Sequence, residues 1–205
     1  MITAVIRTKS LKILKNEIKK AEKADLIEIW FDELDINKID LKALLKSIKK
    51  PVIYKYTGPI ENIELVLNSG AAYIDLDLST PKKTIENIKN AHPNTKIILS
   101  FHDFKTTPKT GAIESILKRM RQKGADISKV ATLAKTFEDS LRLLATLSKQ
   151  EEKTIIIGMG EKGKITRLTG HLLGNYLMYA ATSNSTKTAD GQLTIDEMQS
   201  LIKFK

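Results

Sequence analysis

Short apolar runs alternate with amphipathic segments along the whole chain. Runs rich in β-forming residues predict eight strands, at residues 2–6, 26–31, 52–56, 73–78, 96–101, 127–131, 154–157 and 176–180. Helical periodicity predicts helices between them, near residues 10–23, 38–49, 60–69, 81–91, 110–123, 136–149, 164–173 and 194–203. Strands that alternate with helices form parallel sheets, and eight such units predict an α/β fold closed into a (β/α)8 TIM barrel. A doubly wound open sheet is the alternative, since the first and last strands carry the weakest pattern.

The length and composition fit one globular catalytic unit. With 205 residues and 41% hydrophobic content, the chain can bury one substantial core, so residues 1–205 are predicted to form a single barrel domain. The absence of cysteine excludes disulfides and thiolate metal sites and favours a cytoplasmic location. The first residues lack the pattern of a signal peptide, and no apolar run reaches membrane-spanning length, which predicts a soluble protein without a membrane partner.

The formal charge of +10 allows three classes of partner: nucleic acid, an acidic surface or a small anionic substrate. The lysines are scattered over the predicted helices, as expected for a solvated face, and they form no dense basic tail. Aromatic residues make up 5% of the chain, and no stripe of basic and aromatic residues suggests base stacking. We therefore expect no nucleic-acid partner.

Alternation along the strands turns several polar side chains toward the barrel interior. The inward set comprises Glu28, Trp30, Lys55, Thr57, Asp75, Asp77, Ser100, His102 and Lys129. Burying an isolated charge costs several kcal/mol or more, so these groups must pair, hydrate or neutralise. The pattern thus predicts a polar network near the carboxyl ends of the strands, where barrels place their active sites.

Lys129 and His102 are the chemically informative members of this network. A buried lysine either finds a counter-charge or loses its proton and becomes a nucleophile toward carbonyl carbon. A histidine at the end of the preceding strand supplies an acid or a base. The alternatives are a structural lysine paired with Asp75 or Asp77, and a core histidine with its hydrogen bonds satisfied. His102 has no second histidine or cysteine at zinc-type spacing, so no metal is predicted.

Three motifs carry a resemblance that covers most of the chain. They are Ser-Phe-His-Asp-Phe at 100–104, Gly-Ala-Asp-Ile-Ser-Lys at 124–129, and Met-Gly-Glu-Lys-Gly at 159–163 followed by Thr166 and Arg167. Together they resemble the type I 3-dehydroquinate dehydratase family. The resemblance implies that Lys129 forms a Schiff base with the ketone of 3-dehydroquinate, that His102 moves the protons, and that Glu61 orients His102.

The same resemblance implies a set of substrate-binding residues. Arg167 matches the arginine that clamps the substrate carboxylate, and a helix beginning beside it would add the positive end of its dipole. The loop Thr-Ala-Asp-Gly-Gln at 188–192 resembles Ser-Ala-Pro-Gly-Gln, whose serine and glutamine touch substrate. The implied substrate contacts are Arg167, Gln192, Thr188, Glu28, Met159 and Lys55.

The chain departs from the family pattern at several positions. Trp30 and Thr57 stand where the family carries arginines, and Asp190 replaces a proline, which should loosen its loop. Glu61 lacks the glycine-rich sequence that usually follows the matching glutamate. Lys55 lies on the same strand face as Thr57, so we hypothesise that it restores one positive charge from a lower layer and keeps Glu28 and Asp77 paired.

The function that the resemblance implies is a hydro-lyase of the shikimate pathway. It would convert 3-dehydroquinate to 3-dehydroshikimate and water by imine-assisted syn elimination, without metal or organic cofactor, as a cytoplasmic homodimer. Two alternatives stay open. One is a related Schiff-base enzyme of different specificity, suggested by Trp30 and Thr57. The other is a catalytically silent barrel that serves as a binding protein through its positive surface.

Overall fold

The computed structural model describes residues 1–34, 39–56 and 63–202. Its strands are β1 Ile2–Ile6, β2 Leu26–Trp30, β3 Val52–Lys55, β4 Tyr73–Asp77, β5 Lys96–Asp103, β6 Ile127–Leu133, β7 Thr154–Met159 and β8 Met178–Ala181. Its helices are α1 Leu11–Lys20, α2 Leu41–Ser47, α3 Ile63–Leu67, α4 Lys82–Ala91, α5 Thr110–Gln122, α6 Phe137–Leu147, α7 Gly160–Thr169 and α8 Ile195–Ile202. The predicted alternation of strand and helix is confirmed.

The eight strands form one parallel sheet in the order β7-β6-β5-β4-β3-β2-β1-β8. Consecutive strands from β1 to β7 pair with one another, and β1 pairs with β8, so the order never reverses as a doubly wound sheet requires. Between β7 and β8, the Tyr176 amide donates to the Thr154 carbonyl at 2.9 Å, and the Ile156 amide donates to Oδ1 of Asn175 at 2.8 Å. The fold is the predicted barrel.

Two apolar regions sit on opposite faces of this sheet. The larger one fills the space between the strands and the outer helices, and includes Ile27, Phe31 and Tyr54, with the Phe31 and Tyr54 rings stacked at 4.7 Å. The smaller one fills the lower barrel interior and includes Ile53 and Ile98. Within the described ranges, the helices are all too short or too polar to cross a membrane. Because apolar side chains fill the lower barrel interior and the layer between strands and helices, the polar groups lie in the upper barrel interior.

Helix α7 begins earlier than the sequence pattern predicts. The expected helix at 164–173 is replaced by Gly160–Thr169, which follows β7 without a loop. Gly160 permits this sharp change because it has a φ of +80°, a region that side-chain-bearing residues rarely adopt. Arg167 consequently lies in the last turn of α7, so the expectation that a helix begins beside it is wrong. Because Gly160 and Gly163 have no side chains, the first turns of α7 lack the apolar periodicity from which a helix is predicted.

Backbone contact between two glycines holds α7 against β7. A Cβ atom on Gly163 would lie 2.3 Å from the carbonyl carbon of Gly158, well inside any tolerated contact. The Thr166 hydroxyl fixes the same junction, since it accepts from the Gly158 amide at 2.8 Å and donates to the Gly163 carbonyl at 2.8 Å. This junction sets the position of Arg167, the next residue on the helix.

We therefore expect Gly163→Ala to lower the free energy of unfolding by about 3 kcal/mol or more, as overpacking at a rigid backbone contact does. Gly111→Ala is the matched control, because Gly111 also lies in a helix and a Cβ there meets nothing within 4 Å. That control should be neutral or slightly stabilising. Urea denaturation of the two variants measures both values, and equal stabilities would contradict the proposed contact.

Candidate active site

An open pocket lies at the carboxyl ends of the strands, where the barrel fold places catalytic groups. Its walls combine charged, aromatic and apolar side chains. They are Val5, Glu28, Trp30, His102, Phe104, Lys129, Ala131, Ile157, Met159, Arg167, Tyr179, Thr188, Ala189 and Gln192. The pocket therefore gathers most of the site residues predicted from the sequence.

Lys129 projects from the middle of β6 into the floor of this pocket and is only 5% exposed. Its Nζ donates to Oδ2 of Asp75 at 2.7 Å and to Oε2 of Glu28 at 3.3 Å. The same Nζ lies 4.0 Å from the centre of the Tyr179 ring, a distance at which an ammonium is attracted to the ring face. Two carboxylates and one aromatic face thus surround the cation.

Asp75 also binds a second lysine. Its Oδ1 accepts from Nζ of Lys55 at 2.7 Å, and that Nζ donates to Oγ of Ser100 at 2.9 Å. The hypothesis that Lys55 keeps Glu28 and Asp77 paired is therefore wrong in its partners. The register explains the difference, because Lys55 lies directly across from Asp75 in the sheet. Asp77 is exposed at the end of β4, where its Oδ1 accepts from the Ser79 amide at 2.8 Å.

The charges in this cluster shift one another's pKa values. Burial opposes ionisation of Asp75, but Lys129 and Lys55 outweigh it and hold the pKa of that carboxyl well below its usual range. Burial likewise works to lower the pKa of Lys129, but Asp75 and Glu28 raise it well above the ordinary value for lysine. Burial raises the pKa of Tyr179. Lys129 consequently rests as an ammonium ion.

His102 lies within β5, one residue before the strand ends, so the strand runs two residues past its predicted end at 101. The turn that follows is closed by Asp103, whose Oδ1 accepts from the amides of Lys105 at 2.8 Å and Thr106 at 3.0 Å. This turn stacks the Phe104 ring on the imidazole with their centres 5.9 Å apart. The imidazole is thereby held at the mouth of the pocket above Lys129.

Burial together with the positive charges of Lys129 and Lys55 lowers the pKa of His102 to about 4. We expect the His102 imidazole to titrate near pH 4 by NMR, with its resonance assigned from the spectrum of His102→Gln. Because the folded state binds fewer protons than the unfolded chain, the stabilising contribution is present above about pH 6.5 and is lost as the pH falls toward 4. The melting temperature of the wild type should therefore fall more between pH 7.5 and 5 than that of His102→Gln. A titration near pH 6.5 would contradict the buried placement.

Arg167 reaches the pocket from α7 and is 5% exposed. Its Nε is buried and makes no hydrogen bond within the described residues, and none of the carboxylates described there forms an ion pair with it. Burial alone lowers the pKa of Arg167 to about 10, so the group stays charged at neutral pH. A buried, unpaired guanidinium at a pocket wall suits a planar anionic ligand such as a carboxylate.

The loop at 188–192 closes the pocket on the side of β8. Oε1 of Gln192 accepts from the Thr188 amide at 2.7 Å and from the Thr188 hydroxyl at 3.1 Å, so the two predicted substrate contacts are already joined. Gly191 has a φ of +73°, and a Cβ there would lie 2.7 Å from the carbonyl oxygen of Gly160. The Gly160 amide donates to the Asp190 carbonyl at 3.3 Å. Backbone contacts with the start of α7 thus place this loop beside the pocket.

Trp30 forms a further part of the pocket wall and is hydrogen-bonded to the charged cluster. Its Nε1 donates to Oε1 of Glu28 at 3.1 Å. The Arg7 guanidinium lies 4.8 Å from the centre of the Trp30 ring and pairs with Oε1 of Glu33 at 2.6 Å. The indole N–H therefore occupies one oxygen of Glu28 and leaves the other for Lys129.

Two predicted positions lie outside the described residues, namely Glu61 and Thr57. Met159 lines the pocket as the last residue of β7. The sequence interpretation missed Tyr179 and the aromatic contact of Arg7 with Trp30. Both faces of β8 are apolar, so its alternation gave no inward signal, and Arg7 lies one residue beyond β1. Of the described residues, no group of three or more His, Asp or Glu side chains could hold a metal ion.

The comparisons with known proteins agree with this geometry. The family model described as type I 3-dehydroquinase matches residues 2–205. The chain belongs to the type I 3-dehydroquinase family. The three motifs quoted from the sequence are therefore features of a family relationship that extends over the barrel.

Curated relatives of the family include single-function and fused proteins. The 3-dehydroquinate dehydratase of Methanocaldococcus jannaschii is 31% identical over 206 residues, covering 93% of this chain and 91% of the relative. The bifunctional chloroplastic 3-dehydroquinate dehydratase/shikimate dehydrogenase of Arabidopsis thaliana is 31% identical over 223 residues, covering 100% of this chain. The match spans 37% of that longer protein.

Solved structures of the family superpose closely. A type I 3-dehydroquinate dehydratase from Clostridium difficile, solved with covalently modified comenic acid, has a TM-score of 0.87 and 27% identity over 98% of this chain and 91% of that one. The enzyme from Aquifex aeolicus has a TM-score of 0.81 and 28% identity over 99% of this chain and 97% of that one. A 3-hexulose-6-phosphate synthase from Salmonella typhimurium, at 16% identity and a TM-score of 0.69, shares the fold.

Proposed function

We propose that this type I 3-dehydroquinase is a hydro-lyase of the shikimate pathway that dehydrates 3-dehydroquinate to 3-dehydroshikimate through a Schiff base on Lys129. The observation that carries the proposal is one pocket at the carboxyl ends of the strands that contains a lysine, a neutral histidine and a guanidinium without a carboxylate partner among the described residues. These groups suit, in turn, a ketone, a carbon-bound proton and a carboxylate. The family and the named relatives support the same activity.

Lys129 begins the reaction once it has released its proton. The free amine adds to the ketone carbon to give a carbinolamine, and loss of the hydroxyl group as water leaves a cationic iminium. Asp75 and Glu28, at 2.7 and 3.3 Å from Nζ, face the same nitrogen and stabilise its positive charge in the iminium. The Tyr179 ring adds attraction from a third side.

His102 carries the protons in the elimination. Its lowered pKa of about 4 keeps the imidazole neutral and able to accept a proton from the carbon beside the iminium. The electrons of that C–H bond form an enamine, which expels the β-hydroxyl as the imidazolium returns the proton and water leaves. Water then attacks the conjugated iminium and releases the enone product and the Lys129 amine. Arg167 holds the carboxylate throughout, and Thr188 and Gln192 close the pocket beside it.

The test is to mix the purified protein with 3-dehydroquinate and follow the ultraviolet absorbance of the conjugated enone. Borohydride added during turnover should reduce the imine and attach the ligand to the peptide that contains Lys129, as read by mass spectrometry. Folded protein that gives neither absorbance nor adduct would refute the proposal. That result would transfer support to the silent barrel as a binding protein.

A second candidate is a Schiff-base enzyme of altered specificity, and Trp30 is the observation that favours it. The indole lines the pocket and its N–H is committed to Glu28, so this wall offers an aromatic face where the family pattern has a cation. A screen of 2-oxo and 3-oxo acids with borohydride trapping separates the two candidates. An adduct with another ketone, and none with 3-dehydroquinate, would favour the second.

We further propose that the chain acts as a single catalytic domain, as a homodimer in the cytoplasm, without metal or organic cofactor. The lack of cysteine fits a reducing compartment. The chemistry assigned to Lys129 and His102 needs no external electron or Lewis acid. Light scattering of the purified protein tests the dimer, and unchanged turnover after dialysis against a chelator tests the metal-free reaction.

A further inference from the structure

Two buried lysines share one carboxylate beneath the pocket. Lys55 is 3% exposed and Asp75 is fully buried. Nζ of Lys55 lies 2.7 Å from Oδ1 of Asp75, and Nζ of Lys129 lies 2.7 Å from Oδ2. Each oxygen of Asp75 therefore carries its own ammonium group. The mechanism above uses Lys129 and gives no role to Lys55, which does not line the pocket.

The charge balance of this cluster depends on Lys55. Glu28, Lys55, Asp75 and Lys129 are neutral as a group when all four are ionised. Releasing the Lys129 proton leaves one carboxylate in excess, whereas the same step without Lys55 would leave two carboxylates and no ammonium. Uncompensated charge in a buried site is costly, so Lys55 lowers the cost of forming the Lys129 amine. A neighbouring cation is a known way to activate a lysine nucleophile.

Among the described residues, the other groups around Lys129 do not provide Asp75 with a second positive charge. Within the described ranges, the titratable or charged groups that face it are Glu28 from β2, Asp75 from β4, His102 from β5 and Tyr179 from β8, with Arg167 on the pocket wall from α7. From β1 and β7 come the apolar Val5 and Ile157. Asp75 forms its ion pairs there with Lys55 and Lys129. Lys55 is thus the second cation on the carboxylate that Lys129 uses.

We propose that Lys55 is a positioning residue that acts through Asp75 on Lys129. By occupying one oxygen of Asp75, it weakens the hold of that carboxylate on Lys129 and makes the Lys129 ammonium release its proton more readily. The inference rests on the Schiff-base function proposed above. Ser100 also contacts Lys55, since its Oγ accepts from Nζ at 2.9 Å and donates to the Leu76 carbonyl at 3.3 Å, but it contributes no charge to the cluster.

Trace labelling with acetic anhydride tests the proposal without substrate. The acetylated fraction of the peptide that contains Lys129 is measured by mass spectrometry at fixed pH values between about 8 and 10. These lie below the Lys129 midpoint, and since only the free amine reacts, the ratio of labelling between two variants there reports the difference between their midpoints. In Lys55→Gln, whose amide can still donate to Asp75, we expect the midpoint to move to higher pH by about one unit or more. This corresponds to about tenfold lower reactivity at a fixed pH below the midpoint.

Ser100→Ala is the matched control, because it removes a partner of Lys55 and keeps the charge. Its midpoint should equal that of the wild type, while Lys55→Met should shift as Lys55→Gln does. Wild-type midpoints in both Lys55 variants, with circular dichroism showing folded protein, would overturn the proposal. The acid limb of kcat/KM should move in the same direction as the labelling midpoint. Failure of the wild type to turn over 3-dehydroquinate would refute the proposed function and leave the labelling result on Lys55 intact.

Discussion

Lys129→Met is expected to lower kcat for 3-dehydroquinate dehydration by at least about 10⁴-fold, because the nitrogen that forms the imine is removed. Borohydride trapping should disappear with it. The substitution also leaves Asp75 and Glu28 with one ammonium fewer in a buried site, so the free energy of unfolding should fall by about 3 kcal/mol. Absorbance kinetics, mass spectrometry and thermal melting measure the three effects.

Lys153→Met is the matched control for this prediction. Lys153 is exposed just before β7, at the amino end of the barrel, where its Nζ lies 5.1 Å from the centre of the Tyr176 ring. In barrels of this kind, the amino end contributes to stability and catalysis occurs at the carboxyl end. The control should therefore keep its turnover and its adduct. Turnover that survives in folded Lys129→Met would show that the reaction proceeds without this amine.

Arg167→Met is expected to raise KM for 3-dehydroquinate by about 10²- to 10³-fold, because the loss of a buried charge-assisted contact costs about 2–5 kcal/mol. Arg167→Lys should recover little of this, since an ammonium cannot offer a planar fork to a carboxylate. The change in kcat should be smaller than the change in KM when the carboxylate is bound equally in the ground and transition states. Steady-state kinetics separates the two.

Stability distinguishes this variant from Lys129→Met. Among the described residues Arg167 has no carboxylate partner, so its removal strands no buried charge, and the melting temperature without ligand should stay level or rise. Substrate added to the wild type should raise its melting temperature, and this increase should be lost in Arg167→Met. A variant that melts lower and keeps the wild-type KM would mean that Arg167 supports the fold and does not bind substrate.

Local patterns were sufficient to predict the barrel and the inward direction of its central charged side chains. Side-chain phase along a strand is a local property, so alternation alone turned Glu28, Lys129 and Asp75 toward the interior. The start of α7 was missed because Gly160 and Gly163 interrupt the apolar periodicity on which the prediction depends. The backbone contact that compensates for them involves β7, which no helical pattern contains.

The partners of the inward charges were beyond a single sequence. Alternation allowed Lys55 to reach Glu28, Asp75 or Asp77, and only the register decides between them. That register sets Lys55 across from Asp75 and Lys129 across from Ser100, which brings both ammonium groups to one carboxylate. Arg167 was identified from a motif, but its lack of a partner is a property of the folded surroundings.

The backbone hydrogen bonding between neighbouring strands is uneven around the barrel. Between β7 and β8, the described residues form one backbone hydrogen bond, from Tyr176 to Thr154, whereas the joints of β1 with β8 and of β6 with β7 are continuous ladders. Arg167 follows β7 and Gln192 follows β8, so these two walls of the pocket stand on opposite sides of the weak joint. Across the same joint, the backbone contacts of Gly160 with Asp190 and Gly191 connect the two walls at the pocket mouth. Closure of the barrel therefore depends at this point on the segment before β8 and on the loop after it, which also carries Gln192, more than on strand pairing.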